Sequence, residues 1–146
     1  MDNKYNILFG VMGSDNTANL PAFNCTIANN LVVSQKGMLL EERTVPQNVL
    51  YQGNIFDGDE LSIKSQTSNF EMKKVEMELG ADSVWRPKPN SIVVGAATGW
   101  FNFVTDDIDG QMRGKRKDVG ADQISKEQIK NRPLKANDVG ISWQVQ

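Results

Sequence analysis

Asn24-Cys25-Thr26-Ile27, followed by Asn30-Leu31-Val32-Val33, decides how this chain is read. Twenty-four residues later the same pattern returns as Asn48-Val49-Leu50-Tyr51 and Asn54-Ile55-Phe56. Upstream, Asn6-Ile7-Leu8-Phe9 precedes Asn30 by the same 24 residues. Two Asn positions and two short apolar strands thus recur together, as in repeat architectures. Gly37-Met38-Leu39-Leu40 lies between copies and supplies a third short strand per repeat.

These strands are too short and too closely spaced for helical crossovers, which need a dozen or more residues. No Asn-Gly or Asp-Gly turn joins consecutive apolar runs as a hairpin would require. The remaining arrangement is a chain that circles back, each strand pairing in parallel with its copy one turn later. That is an all-β parallel β-helix, a solenoid advancing by about 4.8 Å per turn. Asn at each bend tolerates a left-handed backbone, and stacked amides hydrogen-bond along the axis. The spacing predicts one ladder of Asn6, Asn30 and Asn54 and a second containing Asn24 and Asn48.

About three coils of 24 residues are clear, and the expected organisation is coils over residues 1–104 with a tail over 105–146 of the same domain. Past Gly58, Leu61-Ser62-Ile63 and Val75–Leu79 alternate as half-buried strands. Pro87, Pro89 and Asn90 mark a turn, and Ile92-Val93-Val94 reads as another strand. In the tail, Ser125-Lys126-Glu127-Gln128 has capping-box spacing and predicts a short helix, which Pro133 stops. This helix, with Trp143, is expected to cap the solenoid.

The 146 residues fit one domain, with 39% hydrophobic and 23% charged residues. A net charge of −2 argues against nucleic acid as a partner. No apolar run is long enough to span a membrane, and no secretory signal is visible. Histidine is absent, so proton chemistry falls to Lys, Arg, Tyr or carboxylates. Cys25, alone in an apolar run, reads as a buried thiol, since no histidine is present to activate it.

Asp107-Ile108-Asp109-Gly110-Gln111-Met112-Arg113 and Asp118-Val119-Gly120-Ala121-Asp122 resemble the closing motif of secreted β-helix proteins acting on carbohydrate. With Pro133-Leu134, Asp138-Val139-Gly140 and Trp143, the chain resembles polysaccharide lyase family six, the alginate lyases and chondroitinase B. Thr26–Val32 is similar to an internal coil of that family. The resemblance spans nearly the whole chain but only the later part of a family member. It implies a right-handed, pectin lyase-like β-helix, a secreted or periplasmic location, an anionic polysaccharide partner and β-elimination at a uronate. It also implies Ca²⁺ to neutralise the substrate carboxylate, a Lys base and an Arg acid, all on central coils. No counterpart of the Glu-x-Glu calcium strand or the Arg-bearing strand is found here. No catalytic residue, metal ligand or cofactor is therefore carried over to this segment.

Lys36 and Arg43, flanking the Met38–Leu40 strand, are the residues expected to touch such a substrate. Asp106, Asp107 and Asp109 before Gly110 read as a solvated turn, and Gly114-Lys115-Arg116-Lys117 as a solvated face. Trp85, Trp100 and Trp143 are expected to pack in core or cap. Three functions follow: a non-catalytic segment of a polysaccharide lyase, a carbohydrate-binding or structural β-helix module, or a small complete enzyme using Lys and Arg. An uncovered first coil would associate, dock a complementary piece or fray.

Overall fold

The computed structural model describes residues 3–10, 20–65 and 69–139. They form an all-β fold whose strands pair mainly in parallel. Strands β1 (Tyr5–Phe9), β4 (Met38–Glu42) and β7 (Leu61–Ser62) make one sheet in the order β1-β4-β7. Strands β2 (Thr26–Ala28) and β5 (Leu50–Gln52) make a second. Strands β3 (Leu31–Val33), β6 (Asn54–Asp57) and β8 (Phe70–Met72) make a third. An antiparallel pair follows, β9 (Met77–Leu79) with β10 (Trp85–Pro87). Among the described residues no helix is long and apolar enough to cross a membrane.

The 24-residue spacing sets the register of two sheets. Thr26 faces Leu50, Ile27 faces Tyr51, Leu31 faces Ile55 and Val32 faces Phe56. The asparagines do two separate jobs. Asn24 (φ 54°) and Asn48 (φ 51°) take the left-handed bend and bond side chain to side chain. Asn54 is buried, and its Oδ1 accepts from the Asn30 backbone N–H (3.0 Å) and Nδ2 (2.9 Å). Its own Nδ2 donates to Ile27 O at 2.8 Å. A second left-handed bend comes just before this stack, at Asn29 (φ 54°) and 24 residues later at Gly53 (φ 63°). A Cβ on Gly53 would sit 2.4 Å from Asn29 Oδ1, so glycine is needed there for space as well as conformation.

Asn54→Ala should therefore cost about 2–3 kcal/mol, because it strands buried donors and an acceptor. Asn48→Gly should cost only a few tenths of a kcal/mol, since glycine accepts the bend readily. Urea denaturation of both variants checks the contrast.

Asn6 does not join this stack. β1 pairs with β4, Tyr5 facing Met38 and Ile7 facing Leu40, and Asn6 Nδ2 donates to Met38 O at 3.0 Å. The equal spacing of Asn6 from Asn30 is a coincidence of two short apolar runs that belong to different sheets. Partner separation is 33 residues from β1 to β4 but 21 from β4 to β7 and 16 from β6 to β8. The strands stay in register while the segments between them change length.

Strand β6 is buried along its whole length because it faces two cores. Phe56 joins Leu39, Leu40 and Tyr51, with Ile7, Phe9 and Phe70 packed against them. Ile55 turns the other way, to Val75, Val93 and Val119. Fully burying one such side chain contributes about 1.5–3 kcal/mol.

Two predicted elements take other forms. Ile92–Gly95 is a tight turn, not a strand: Val94 N–H donates to Ser91 O and Ala96 N–H to Val93 O. Only Val93 is buried there, while Ile92 and Val94 face outward. The segment from Ser125 is not helical either, because Ser125 Oγ accepts from Glu127 N–H two residues on and closes a local turn. Among the described residues the one helical turn is a 3-10 turn at Ala136–Asp138. Trp143 lies outside the described residues.

Candidate functional site

Past Val33 and Asp57 the ends of β3 and β6 open into a groove of about 940 Å³. Val75, Met77, Trp85 and Pro87, from the β9–β10 segment, line it together with Leu31 and Val33. Among the described residues, Asp57, Asp59, Lys74 and Asp122 are its charged ones. Asp57 is already occupied, its Oδ2 accepting from Val75 N–H at 2.8 Å and its Oδ1 from Lys74 Nζ at 3.3 Å. Asp122 is only 8% exposed, yet no described residue donates a hydrogen bond to its carboxyl group. Burial raises its pKa above the usual carboxylate range, and the neighbouring Asp109 and Asp107 push the same way.

The wall behind Asp122 is built by the acidic motif of the tail. Arg86 grips Asp109 through Nε (2.9 Å) and Nη2 (2.7 Å) and Asp82 through Nη1 (2.9 Å) and Nη2 (2.8 Å). These bonds hold the Asp82 carboxyl down at about 2. The Asp107 carboxylate accepts from Gln111 N–H and Gln123 N–H, and Asp118 from Gly95 N–H and Ile124 N–H. Arg113 donates to the carbonyls of Asp106, Asp118 and Gly120. Asp107 to Asp109 is a turn, as expected, but not a solvated one: Asp109 is 5% exposed. Among the described residues no three acidic or cysteine side chains converge on a metal site.

A second polar cluster lies inside the first core. Glu42, fully buried, accepts from Tyr51 OH (2.5 Å) and Ser65 Oγ (2.7 Å) at Oε1. At Oε2 it accepts from Lys64 N–H (2.7 Å) and Ser65 N–H (2.6 Å). Burial pulls its pKa up, but the bonds from Tyr51, Ser65 and Lys64 outweigh that and leave it below the usual range. Every oxygen has donors, so this carboxylate is structural.

Lys36 is exposed in the bend before β4, its carbonyl accepting from Ser34 Oγ at 2.5 Å. Arg43 follows β4, bonds Glu41 Oε1 at 3.3 Å and lies 5.1 Å over the Tyr5 ring. The intervening five-residue strand separates the two by roughly 15 Å, so they do not meet on one sugar ring. Trp85 and Trp100, expected to pack inside, are 61% and 89% exposed. Their neighbours in sequence, Arg86 and Phe101, point inward more than they do, and nothing in the residue type signals that difference. Lys117, expected on a solvated face, donates through Nζ to Phe101 O and Val104 O. Cys25 is half-buried, its thiol against Phe23 O. Sequence reasoning missed the exposure of Trp85 and the open carboxyl of Asp122, although Asp122 stands in a quoted motif. No known family model matches this chain, and neither curated proteins nor solved structures yield a match.

Proposed function

We propose that the three parallel sheets are the faces of a right-handed β-helix, and that the chain is the C-terminal part of a uronate-polysaccharide lyase of family six. One observation carries this reading: both β2–β5 and β3–β6 pair at a 24-residue separation, with Asn30 stacked on Asn54 between them. The closing motif supports it too, since its Asp and Arg side chains tie the tail together as an end-piece requires. In this reading the calcium ion, the Lys base and the Arg acid belong to upstream coils. Five of the carboxylates here, Glu42, Asp57, Asp107, Asp109 and Asp118, are each spent on bonds within the fold and are not free to hold calcium. Lys36 and Arg43 contribute contacts to the anionic chain, which runs along the β4 face, in a secreted or periplasmic setting.

A non-catalytic carbohydrate-binding or structural β-helix module is the second reading. The internal use of those five carboxylates favours it.

The purified chain should be retarded by alginate in affinity electrophoresis yet release no unsaturated uronate from alginate or dermatan sulfate. Lys36→Ala should weaken retention about two- to fivefold, a surface contact being worth up to ~1 kcal/mol. Arg43→Ala should do less, because Glu41 already holds that guanidinium. Ultraviolet absorbance of unsaturated product that grows with protein concentration, in a preparation free of other lyases, would overturn the absence of catalysis. Unretarded migration through alginate gels would overturn the polyuronate contact.

A further inference from the structure

We infer that the groove between the Asp57–Asp59 bend and the Trp85–Asp122 wall is a binding subsite for an uncharged sugar ring, stacked on Trp85 and hydrogen-bonded to Asp122. This goes beyond the polyuronate reading and does not rest on it. The surfaces are different: Lys36 and Arg43 do not line this groove.

Three observations converge. First, Trp85 lines the groove with 61% of its surface open, and an exposed indole offers a flat apolar face to the C–H side of a pyranose. Its strand is fixed from behind, since the next residue, Arg86, is anchored to Asp82 and Asp109. With the backbone fixed, only the indole's two side-chain torsions are left to order when a ring settles on it. Second, Asp122 also lines the groove, nine-tenths buried and without a hydrogen-bond donor among the described residues. A buried carboxyl lacking a partner is costly. Asp122 lines the groove and can meet a ligand there, unlike the buried, unpartnered hydroxyls of Ser91 and Thr44, which do not line it. Two vicinal sugar hydroxyls can supply the missing donors to both oxygens at once.

Third, the charge disfavours the obvious alternative. Three carboxylates line the groove (Asp57, Asp59 and Asp122) against one cation, Lys74, which is itself engaged by Asp57. A uronate entering here would meet like charge at short range, which opposes binding. A neutral ring meets no such penalty. A volume of about 940 Å³ is within the range of small-molecule clefts and leaves room for more than one sugar.

Titration of the whole chain with cellohexaose, mannohexaose, a mannuronate hexamer and a glucosamine hexamer tests this. The readout is the Trp85 indole N–H resonance, assigned by its loss in Trp85→Ala. At least one neutral hexasaccharide should shift that resonance saturably. By calorimetry Trp85→Ala should weaken its binding about tenfold, the value of a good aromatic contact. Asp122→Ala should weaken it similarly, and Asp122→Asn less, because an amide still bonds hydroxyls. Trp85 is exposed, so its replacement tests the site without threatening the fold, and thermal melts verify that. Saturation by neither neutral probe would overturn the inference. So would neutral binding unaffected by Trp85→Ala, or tighter Trp85-dependent binding of the charged hexamers.

Discussion

Arg86→Ala should destabilise the fold by about 3–5 kcal/mol, because it leaves a buried carboxylate without its counter-ion. Asp109 is 5% exposed and takes two of its hydrogen bonds from the Arg86 guanidinium. Removing Arg86 also releases Asp82, but that exposed carboxylate returns to water at little cost. Most of the loss therefore comes from Asp109. Arg86→Lys should recover only part of it, since an ammonium cannot present two parallel N–H groups to Asp109 and two more to Asp82. The double variant Arg86→Ala with Asp109→Asn should be more stable than Arg86→Ala alone, the buried charge having gone. Urea denaturation of the four proteins decides it. A loss below about 1 kcal/mol for Arg86→Ala would mean that Asp109 is not left as a buried, unpaired charge.

The second large effect is at Glu42. Glu42→Ala should cost at least ~3 kcal/mol, since four donors lose their acceptor in a buried site. Glu42→Gln should cost distinctly less. The two backbone N–H groups of Lys64 and Ser65 converge on Oε2 and cannot reverse, so the Gln carbonyl must take that place. The Gln amide then points at Tyr51 and Ser65, whose hydroxyls can rotate and accept.

The pH dependence follows from the direction of the shift. Glu42 is held below its ordinary value in the fold, so its stabilisation is complete above the unfolded carboxyl pKa of about 4.3. It is lost as pH falls through the lower folded value. Tyr51 moves the other way: burial and then the Glu42 bond hold its phenol protonated well above the usual range. That part is present below an unfolded pKa of about 10 and lost as pH rises beyond it. Melting temperatures from pH 2 to 7 should fall more steeply in acid for the native chain than for Glu42→Gln. Parallel curves would place the acid sensitivity elsewhere.

Much of the strand pattern was legible because strand pairing and apolar spacing obey one rule. Asn24 with Asn48, and Asn30 with Asn54, could be matched from spacing, and the sheets hold them at that register. Asn6 misled because a three-residue apolar run carries no mark of which sheet it joins. Only the position of its partner, Met38, decides that. Ile92-Val93-Val94 reads as a strand by composition, but a single buried valine suffices to plug the second core and the flanking backbone is free to turn. The Ser125 box failed for a related reason, since its hydroxyl is used two residues on and no apolar face waits to bury a helix.

The candidate site was less legible than the fold. Residue identity suggests that a Trp can stack and an Asp can bond. It does not say that Trp85 stays outside while Arg86 turns in, or that Asp122 is the motif carboxylate with no donor among the described residues. Those outcomes depend on contacts between segments far apart in the chain, such as Arg86 with Asp109 and Gly120 N–H with Asn29 O.

Asn29 has a kinetic meaning beyond its bend. Its amide exchanges two hydrogen bonds with Thr98, 69 residues away, whereas ladder partners in its own sheets lie 24 apart. Closing the longer loop costs about 1 kcal/mol more chain entropy than closing the shorter one. The ladders can thus zip up by short steps before Thr98 arrives. On chain entropy alone, its attachment to Asn29 closes after the ladders, as a latch set over them.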